Sequence, residues 1–286
     1  MTSMEGVVVL GGSGFVGREI SENLGCLATS HAGREGLITV DATRAEDLRA
    51  KLGPLAPKLL INCAGMADVD RAEREPEFAD SLNRQIVENL VRVQPEIGFH
   101  LVHISTDYVF DGSKGGYRET DSVHPVNEYG RSKLRGEEAA LRSADCLVIR
   151  ISSPYGRGFG ARKPQFFRYV VDSLRSGKRV RALTDQRVTA TFLPDLARAI
   201  ETLSRVSVAG IIHVGSREAL TRFEFARKVA KVVGADPGLV TPALASEMTQ
   251  WTAIRPKDTS LNVELSQRHG VMYTSVDAAL GTLLPS

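Results

Sequence analysis

Val7-Val8-Val9-Leu10-Gly11-Gly12-Ser13-Gly14-Phe15-Val16-Gly17 stands close to the start of the chain. Residues 7–10 are apolar and mostly β-branched, a pattern that suits a buried strand. Residues 18–24 read as a helix with Ile20 and Leu24 on one face. Between them lies the spacing Gly11-x-x-Gly14-x-x-Gly17. Strand, glycine loop and helix in that order form the setting of a dinucleotide-binding turn. Glycines let the backbone turn tightly and approach a pyrophosphate, which rests at the positive end of the helix. A purely structural turn would use the same glycines, but the flanking elements favour the binding one. The candidate cofactor contacts here are Gly11, Ser13, Gly14, Phe15, Val16 and Gly17.

The alternation continues outward. Residues 26–30 form a second strand candidate ending in Thr29-Ser30-His31-Ala32-Gly33-Arg34, with no acid before Glu35. NAD-binding sheets often place an acid there, on the ribose hydroxyls. A hydroxyl, an imidazole and a guanidinium suit a 2′-phosphate instead. His31 and Arg34 therefore point to NADP(H) over NAD(H), although they read almost as well as ordinary loop residues. Residues 37–40 are strand-like and end at Asp41-Ala42. Asp41 either reaches an adenine amino group or caps the helix starting near Ala45. Residues 59–62 run into the small-residue turn Cys63-Ala64-Gly65, where a flat ring can lie against the backbone. Residues 77–93 have helical periodicity, with Phe78, Leu82, Ile86 and Leu90 near one face. Residues 101–105 are a fifth strand, ending in Ser105-Thr106-Asp107-Tyr108. Residues 146–151 are a sixth. The expected fold is a Rossmann-type, doubly wound parallel α/β sheet. Hydroxyls at the C-terminal end of its central strand lie where such sheets bind ligands.

Tyr129 and Lys133 follow that strand, four residues apart, so a helix places them on one face. A nearby ammonium is expected to lower the phenol's pKa from about 10. The pair would then serve as a general acid for carbonyl–alcohol interconversion. Composition fits this setting. The 286 residues are 42% hydrophobic and 24% charged, with a net charge of +2. Nothing in that charge points to a nucleic-acid or membrane-surface protein, and no apolar run reaches the ~18 residues of a membrane span. Cys26, Cys63 and Cys146 lack metal-type spacing and suit a reducing, cytoplasmic compartment.

Gly11-x-x-Gly14-x-x-Gly17, Asn62-Cys63-Ala64-Gly65, Thr106 and Tyr129-x-x-x-Lys133 together resemble the extended short-chain dehydrogenase/reductase family. Ala67-Asp68-Val69-Asp70-Arg71-Ala72-Glu73, the phrase from Ser105 to Gly112, Asp185-Gln186, Asp195-Leu196-Ala197 and Arg255-Pro256 make it most similar to dTDP-4-dehydrorhamnose reductases. The resemblance implies a 4-keto sugar nucleotide as substrate and Tyr129 as proton donor to its carbonyl. It implies that Thr106 orients the carbonyl and that Lys133 holds the nicotinamide ribose. Asp41 and Ala42 would lie on the adenine side, Cys63, Ala64 and Gly65 on the adenosine half, and Ser105 by the cofactor. Asp107, Ser153 and Arg187 are the further substrate candidates. Asn83 matches an asparagine that either organises water near the lysine or pins a helix bend. Ser153 departs from the pattern, since a tryptophan that packs on the substrate is usual there. Some relatives bind magnesium through an acid matching Glu19, but no cluster here supports a metal.

In the second half, the basic loop 158–162 with Arg168 and Arg187 suits either a diphosphate or a solvated face. Thr221 with Glu224 suits a capping box, with Phe223, Ala226 and Val229 inward. Trp251 suits plain packing, while the resemblance puts it on the rim of a substrate cleft. The expected division is a cofactor domain of residues 1–155 with parts of 178–215, and a smaller substrate domain of 156–177 and 216–286. Other readings are an NADP-binding regulatory subunit similar to the beta subunit of methionine adenosyltransferase, or an epimerase or other extended short-chain reductase. A dehydratase would need an acidic pair where Asp107 stands alone. A homodimer is left open.

Overall fold

The computed structural model describes residues 5–157 and 165–284, so the basic loop 158–162 lies outside the described residues. The first half runs β1 (Val7–Leu10), α1 (Phe15–Leu24), β2 (Leu27–Ser30), β3 (Ile38–Thr39), α2 (Ala45–Leu52) and β4 (Leu59–Asn62). Then come α3 (Val69–Arg74), α4 (Pro76–Asp80), α5 (Ile86–Ile97), β5 (His100–Thr106), α6 (Glu128–Ala140) and β6 (Cys146–Ile151). The second half holds α7 (Phe166–Arg175), β7 (Val180–Leu183), β8 (Arg187–Val188), α8 (Leu193–Arg205), β9 (Gly210–Val214) and β10 (Leu220–Thr221). It ends with α9 (Arg222–Val232), β11 (Val240–Ala243), α10 (Glu264–Arg268) and α11 (Val276–Leu283).

Seven strands form one sheet in the order β3-β2-β1-β4-β5-β6-β9, and every pairing is parallel. Alternating side chains feed its two faces, as the strand period of two requires. Val9, Ile61, Val102 and Leu147 pair in register and pack under α1 and α8. Val8, Leu60, Leu101 and Val148 face the other way, onto α2, α5 and α6. Burial on both faces explains why these strands read as continuous apolar runs.

Strand order reverses between β1 and β4, the switch point where ligands bind in such sheets. The glycine loop after β1 meets the small-residue turn after β4 there. Gly11 has φ +84°, and a Cβ on it would lie 2.8 Å from the Ala64 nitrogen. A Cβ on Gly17 would lie 2.4 Å from the Gly11 carbonyl oxygen. Both approaches require glycine.

The helix expected over 77–93 is broken. A π-helical turn over Ser81–Gln85 separates α4 from α5. Such a turn inserts extra residues and rotates what precedes it. Phe78 is consequently 42% exposed, while Ile86 and Leu90 are buried. Asn83 sits in this turn. Its Oδ1 accepts from the Met66 nitrogen at 2.8 Å, and its Nδ2 donates to Ser132 Oγ at 2.9 Å. Of its two expected roles, Asn83 therefore takes the one that pins the bend.

A second core gathers Tyr155, Phe167, Phe192 and Phe225 with apolar residues of α7, α9, α11, β7 and β11. Thr221 and Glu224 form the expected capping box at the start of α9. Phe225 lies in this core, whereas Phe223, expected inward, packs at its edge. β7 belongs to this second core, whereas α8, β9 and Val271 belong to the large one. The chain thus passes between the two cores repeatedly. Among the described residues, no helix is long and apolar enough to cross a membrane.

One ion pair is sealed inside the large core. Arg150 on β6 donates to Glu137 on α6 at 2.7 Å, and both side chains are almost wholly buried. Removing one partner of such a pair strands the other charge, at about 3–5 kcal/mol. Glu137→Gln should lower the unfolding free energy in urea by that amount. A loss no larger than the ~0.5 kcal/mol usual at surfaces would mean that the pair is not desolvated.

Candidate active site

Helix α6 starts at Asn127, whose Oδ1 accepts from the Gly130 nitrogen at 2.8 Å. The same side chain donates from Nδ2 to the Ile254 carbonyl at 2.8 Å, which ties the helix start to the loop before Arg255. Tyr129 and Lys133 then project from one face, toward the end of β5. Thr106 lies close enough to the Tyr129 phenol to pull its pKa down. Lys133 Nζ donates to the Ile104 carbonyl at 2.7 Å. The structure therefore brings together the three residues expected to carry chemistry.

Their electrostatics differ from the expectation. Burial raises the Tyr129 pKa, Thr106 opposes that, and Asp107 and Tyr108 add to it. Lys133 does not lower it, because its ammonium is turned onto a backbone carbonyl. Burial instead pulls Lys133 itself down to about 8, against the opposing pull of Glu137 and Cys63. At neutral pH the phenol is fully protonated, which is the form that donates a proton.

Several expected contacts are spent elsewhere. Asp107 does not face a substrate. Its Oδ2 accepts from Ser152 at 2.7 Å and from Thr259, and its Oδ1 accepts from Thr106 at 3.2 Å. Burial raises its pKa, and these bonds partly offset that. Arg187 donates to the Ala219 carbonyl at 2.7 Å and pairs with Glu224, so it ties β8 to the start of α9. Arg168 pairs with Asp172 on the surface. The Ser105 hydroxyl donates to Glu137 inside the core. Phe15 and Ala42 bury their side chains in the two faces of the sheet core. Only the backbones of these last three can reach a ligand.

The cofactor side keeps its expected partners together. Gly11 and Gly17 lie against Ala64 and Cys63 at the switch point, with Ser13, Gly14 and Val16 in the same loop. His31 and Arg34 are exposed beyond β2, and His31 Nδ1 lies 3.7 Å from Asp41 Oδ1. Asp41 holds Thr43 through its nitrogen at 3.1 Å and its hydroxyl at 2.6 Å, and the hydroxyl bond lowers the Asp41 pKa. It shapes the turn before α2, and Arg44 is that helix's N-cap. Thr29 Oγ1 is buried here without a partner. A glycine cradle too tight for any Cβ, with cations at its edge, fits a phosphorylated dinucleotide. Among the described residues, no group of three or more His, Cys, Asp or Glu side chains could hold a metal.

A cleft of about 790 Å³ opens beside Tyr108. Tyr108 reaches into it and meets the Tyr129 ring edge-on, with centroids 5.7 Å apart. Phe166, Tyr169 and Trp251 supply aromatic walls, and Gln186 and Arg222 polar ones. Trp251 thus lies on the rim, with the Arg255 guanidinium 4.9 Å above its ring. Ser153 adopts φ +39° and accepts from Arg222.

Sequence reasoning missed Tyr108, Gln186 and Arg222 as cleft residues. Tyr108 and Gln186 stand inside phrases that carried the resemblance. For Arg222 the signal was its position, since a cation in a helix's first turn opposes the dipole and needs another reason to be there.

Residues 4–284 match the family described as RmlD substrate binding domain. The probable low-salt glycan biosynthesis reductase Agl14 of Haloferax volcanii is 36% identical over 227 residues, covering 78% of this chain and 75% of that protein. The dTDP-4-dehydrorhamnose reductase of Mycobacterium tuberculosis is 36% identical over 218 residues, covering 73% and 69%. Among solved structures, the dTDP-4-dehydrorhamnose reductase of Bacillus anthracis in complex with NADP has a TM-score of 0.88, at 26% identity over 97% of each chain.

The depressed Lys133 pKa has a measurable sign. Between about 8 in the folded chain and ~10.4 in the unfolded one, the unfolded state binds more protons, so stability rises with pH. Stability of the wild type relative to Lys133→Met should climb across that window. A flat difference would mean that Lys133 keeps an ordinary pKa.

Proposed function

Because the chain belongs to the RmlD substrate binding domain family, we propose that it is an NADPH-dependent reductase of a 4-keto-6-deoxy sugar nucleotide, with NADH as the weaker alternative. The observation that carries this is the convergence of Thr106, Tyr129 and Lys133 at the end of β5, where Tyr108 packs on Tyr129 and lines an aromatic cleft.

When bound, the nicotinamide supplies the hydride. Thr106 holds the substrate's C4 carbonyl oxygen through its hydroxyl. Tyr129 gives its phenolic proton to that oxygen as negative charge develops, so the ketone becomes a secondary alcohol. Lys133, four residues along α6, holds the nicotinamide ribose and feeds a proton back toward the phenol. The glycine loop holds the pyrophosphate against the N-terminus of α1. His31 and Arg34 take the 2′-phosphate, and Asp41 borders the adenine. The same reading suits a cytoplasmic protein acting on a soluble metabolite.

Tyr129→Phe should bind NADPH normally but lose at least the ~100-fold in turnover typical of general acid catalysis, measured as NADPH oxidation with dTDP-4-keto-6-deoxyglucose. Near-normal turnover would remove Tyr129 from the mechanism. Arg34→Ala should raise the KM for NADPH roughly tenfold or more, the loss expected for one hydrogen bond to a charged group worth about 1.5–3 kcal/mol. The KM for NADH should hardly move. Equal effects on both would place the 2′-phosphate elsewhere.

A further inference from the structure

Arg222 is the first residue of α9 and reaches into the cleft from the second core. Three neutral contacts hold it. Nε donates to Gln186 Oε1 at 3.2 Å, Nη1 donates to Ser153 Oγ, and the guanidinium lies 4.9 Å over the Phe166 ring. None of these contacts neutralises its charge.

The neighbouring cleft arginines differ. Arg181 pairs with Glu247, and Arg255 pairs with Asp70 at 2.8 Å. Arg222 forms no ion pair with any described carboxylate. Asp107 lies within electrostatic reach, but its oxygens are filled by Ser152, Thr259 and Thr106. Leaving a half-buried cation without a counter-charge has a cost that an anionic ligand would relieve. Ser153 adds to that cost, since φ +39° is strained for any residue except glycine. Strain and an uncompensated charge at one contact mark a site built for an anion.

The position says which part of a ligand Arg222 meets. Gln186, which holds Arg222, also donates to the Tyr108 hydroxyl at 3.3 Å, and Tyr108 packs on Tyr129. Arg222 therefore stands beside the reacting end of the cleft, with the Trp251 rim farther along. A keto-deoxy sugar nucleotide carries its negative charge on the diphosphate between sugar and base.

We propose that Arg222 binds the diphosphate of the sugar nucleotide, and that Ser153 is a positioning residue that acts through it. This rests on the reading of the cleft as a sugar-nucleotide site. The pair also gives Ser153 a purpose in place of the substrate-packing aromatic expected at that position. A planar guanidinium takes a phosphate by two parallel hydrogen bonds, which fixes the sugar's angle against Tyr129.

The test is calorimetric titration of dTDP and of UDP into the NADP-loaded protein, with NADPH affinity and melting temperature measured alongside. Arg222→Gln should weaken the better-bound diphosphate at least tenfold and leave NADPH affinity within twofold. Arg222→Lys should recover part of the loss. Ser153→Ala, which keeps the charge, should weaken the diphosphate less than Arg222→Gln, and Ser153→Asn, which tolerates the left-handed backbone and keeps an oxygen acceptor, should restore part of it. Diphosphate affinity in Arg222→Gln within twofold of the wild type would overturn the proposal. So would a rise confined to the KM of the keto sugar, which would place the guanidinium on the sugar. Wild-type protein that binds NADPH but neither nucleotide would overturn the sugar-nucleotide reading itself, and this proposal with it.

Discussion

Helix α6 can settle against the turn after β5 and the π-helical turn before α5 only because two of its residues have no side chain. A Cβ on Gly130 would sit 2.2 Å from the Tyr108 carbonyl oxygen, and one on Gly136 would sit 2.2 Å from that of Asn83. Those distances are far inside contact, so the backbones themselves touch. This approach lets Lys133 reach the Ile104 carbonyl and Tyr129 reach Thr106. It also lets Glu137 reach Arg150 across the core. Chemistry and stability here share one close helix contact.

The same contact accounts for the π-helical turn before α5. Gly136 leaves room for the Asn83 carbonyl, and Asn83 in turn bonds Met66 and Ser132. An unbroken helix would carry Phe78 onto the apolar face and could not present Asn83 to both partners. The bend is thus the local accommodation of a close packing elsewhere, as π turns at functional sites often are.

Two cores meet at the cleft, and their polar residues divide into two kinds. Asp70 gathers the Thr252 and Ala253 nitrogens and the Arg255 guanidinium, so it fastens the rim to α3. Asp107 gathers Thr106, Ser152 and Thr259, so it fastens β5 to β6 and to the segment after Arg255. These acids hold the cleft's shape. Tyr108, Gln186 and Arg222 line the space that remains.

The sequence by itself determined what depends on near neighbours. The strand, glycine loop and helix at residues 7–24 were legible because each is written in local periodicity and turn chemistry. The Tyr129–Lys133 spacing was legible because a helix sets it. The parallel sheet followed from strands that are apolar on both faces. Only the tertiary structure decided which polar groups were already satisfied. Asp107, Arg187 and Ser105 looked available in the sequence, yet their partners Thr259, Ala219 and Glu137 lie 152, 32 and 32 residues away. Arg222 looked like an ordinary helix cation until Ser153, 69 residues earlier, was found against it. Hydrogen bonding and burial are settled by whatever the fold brings alongside, so the direction of the Tyr129 pKa shift could not be read from its spacing to Lys133.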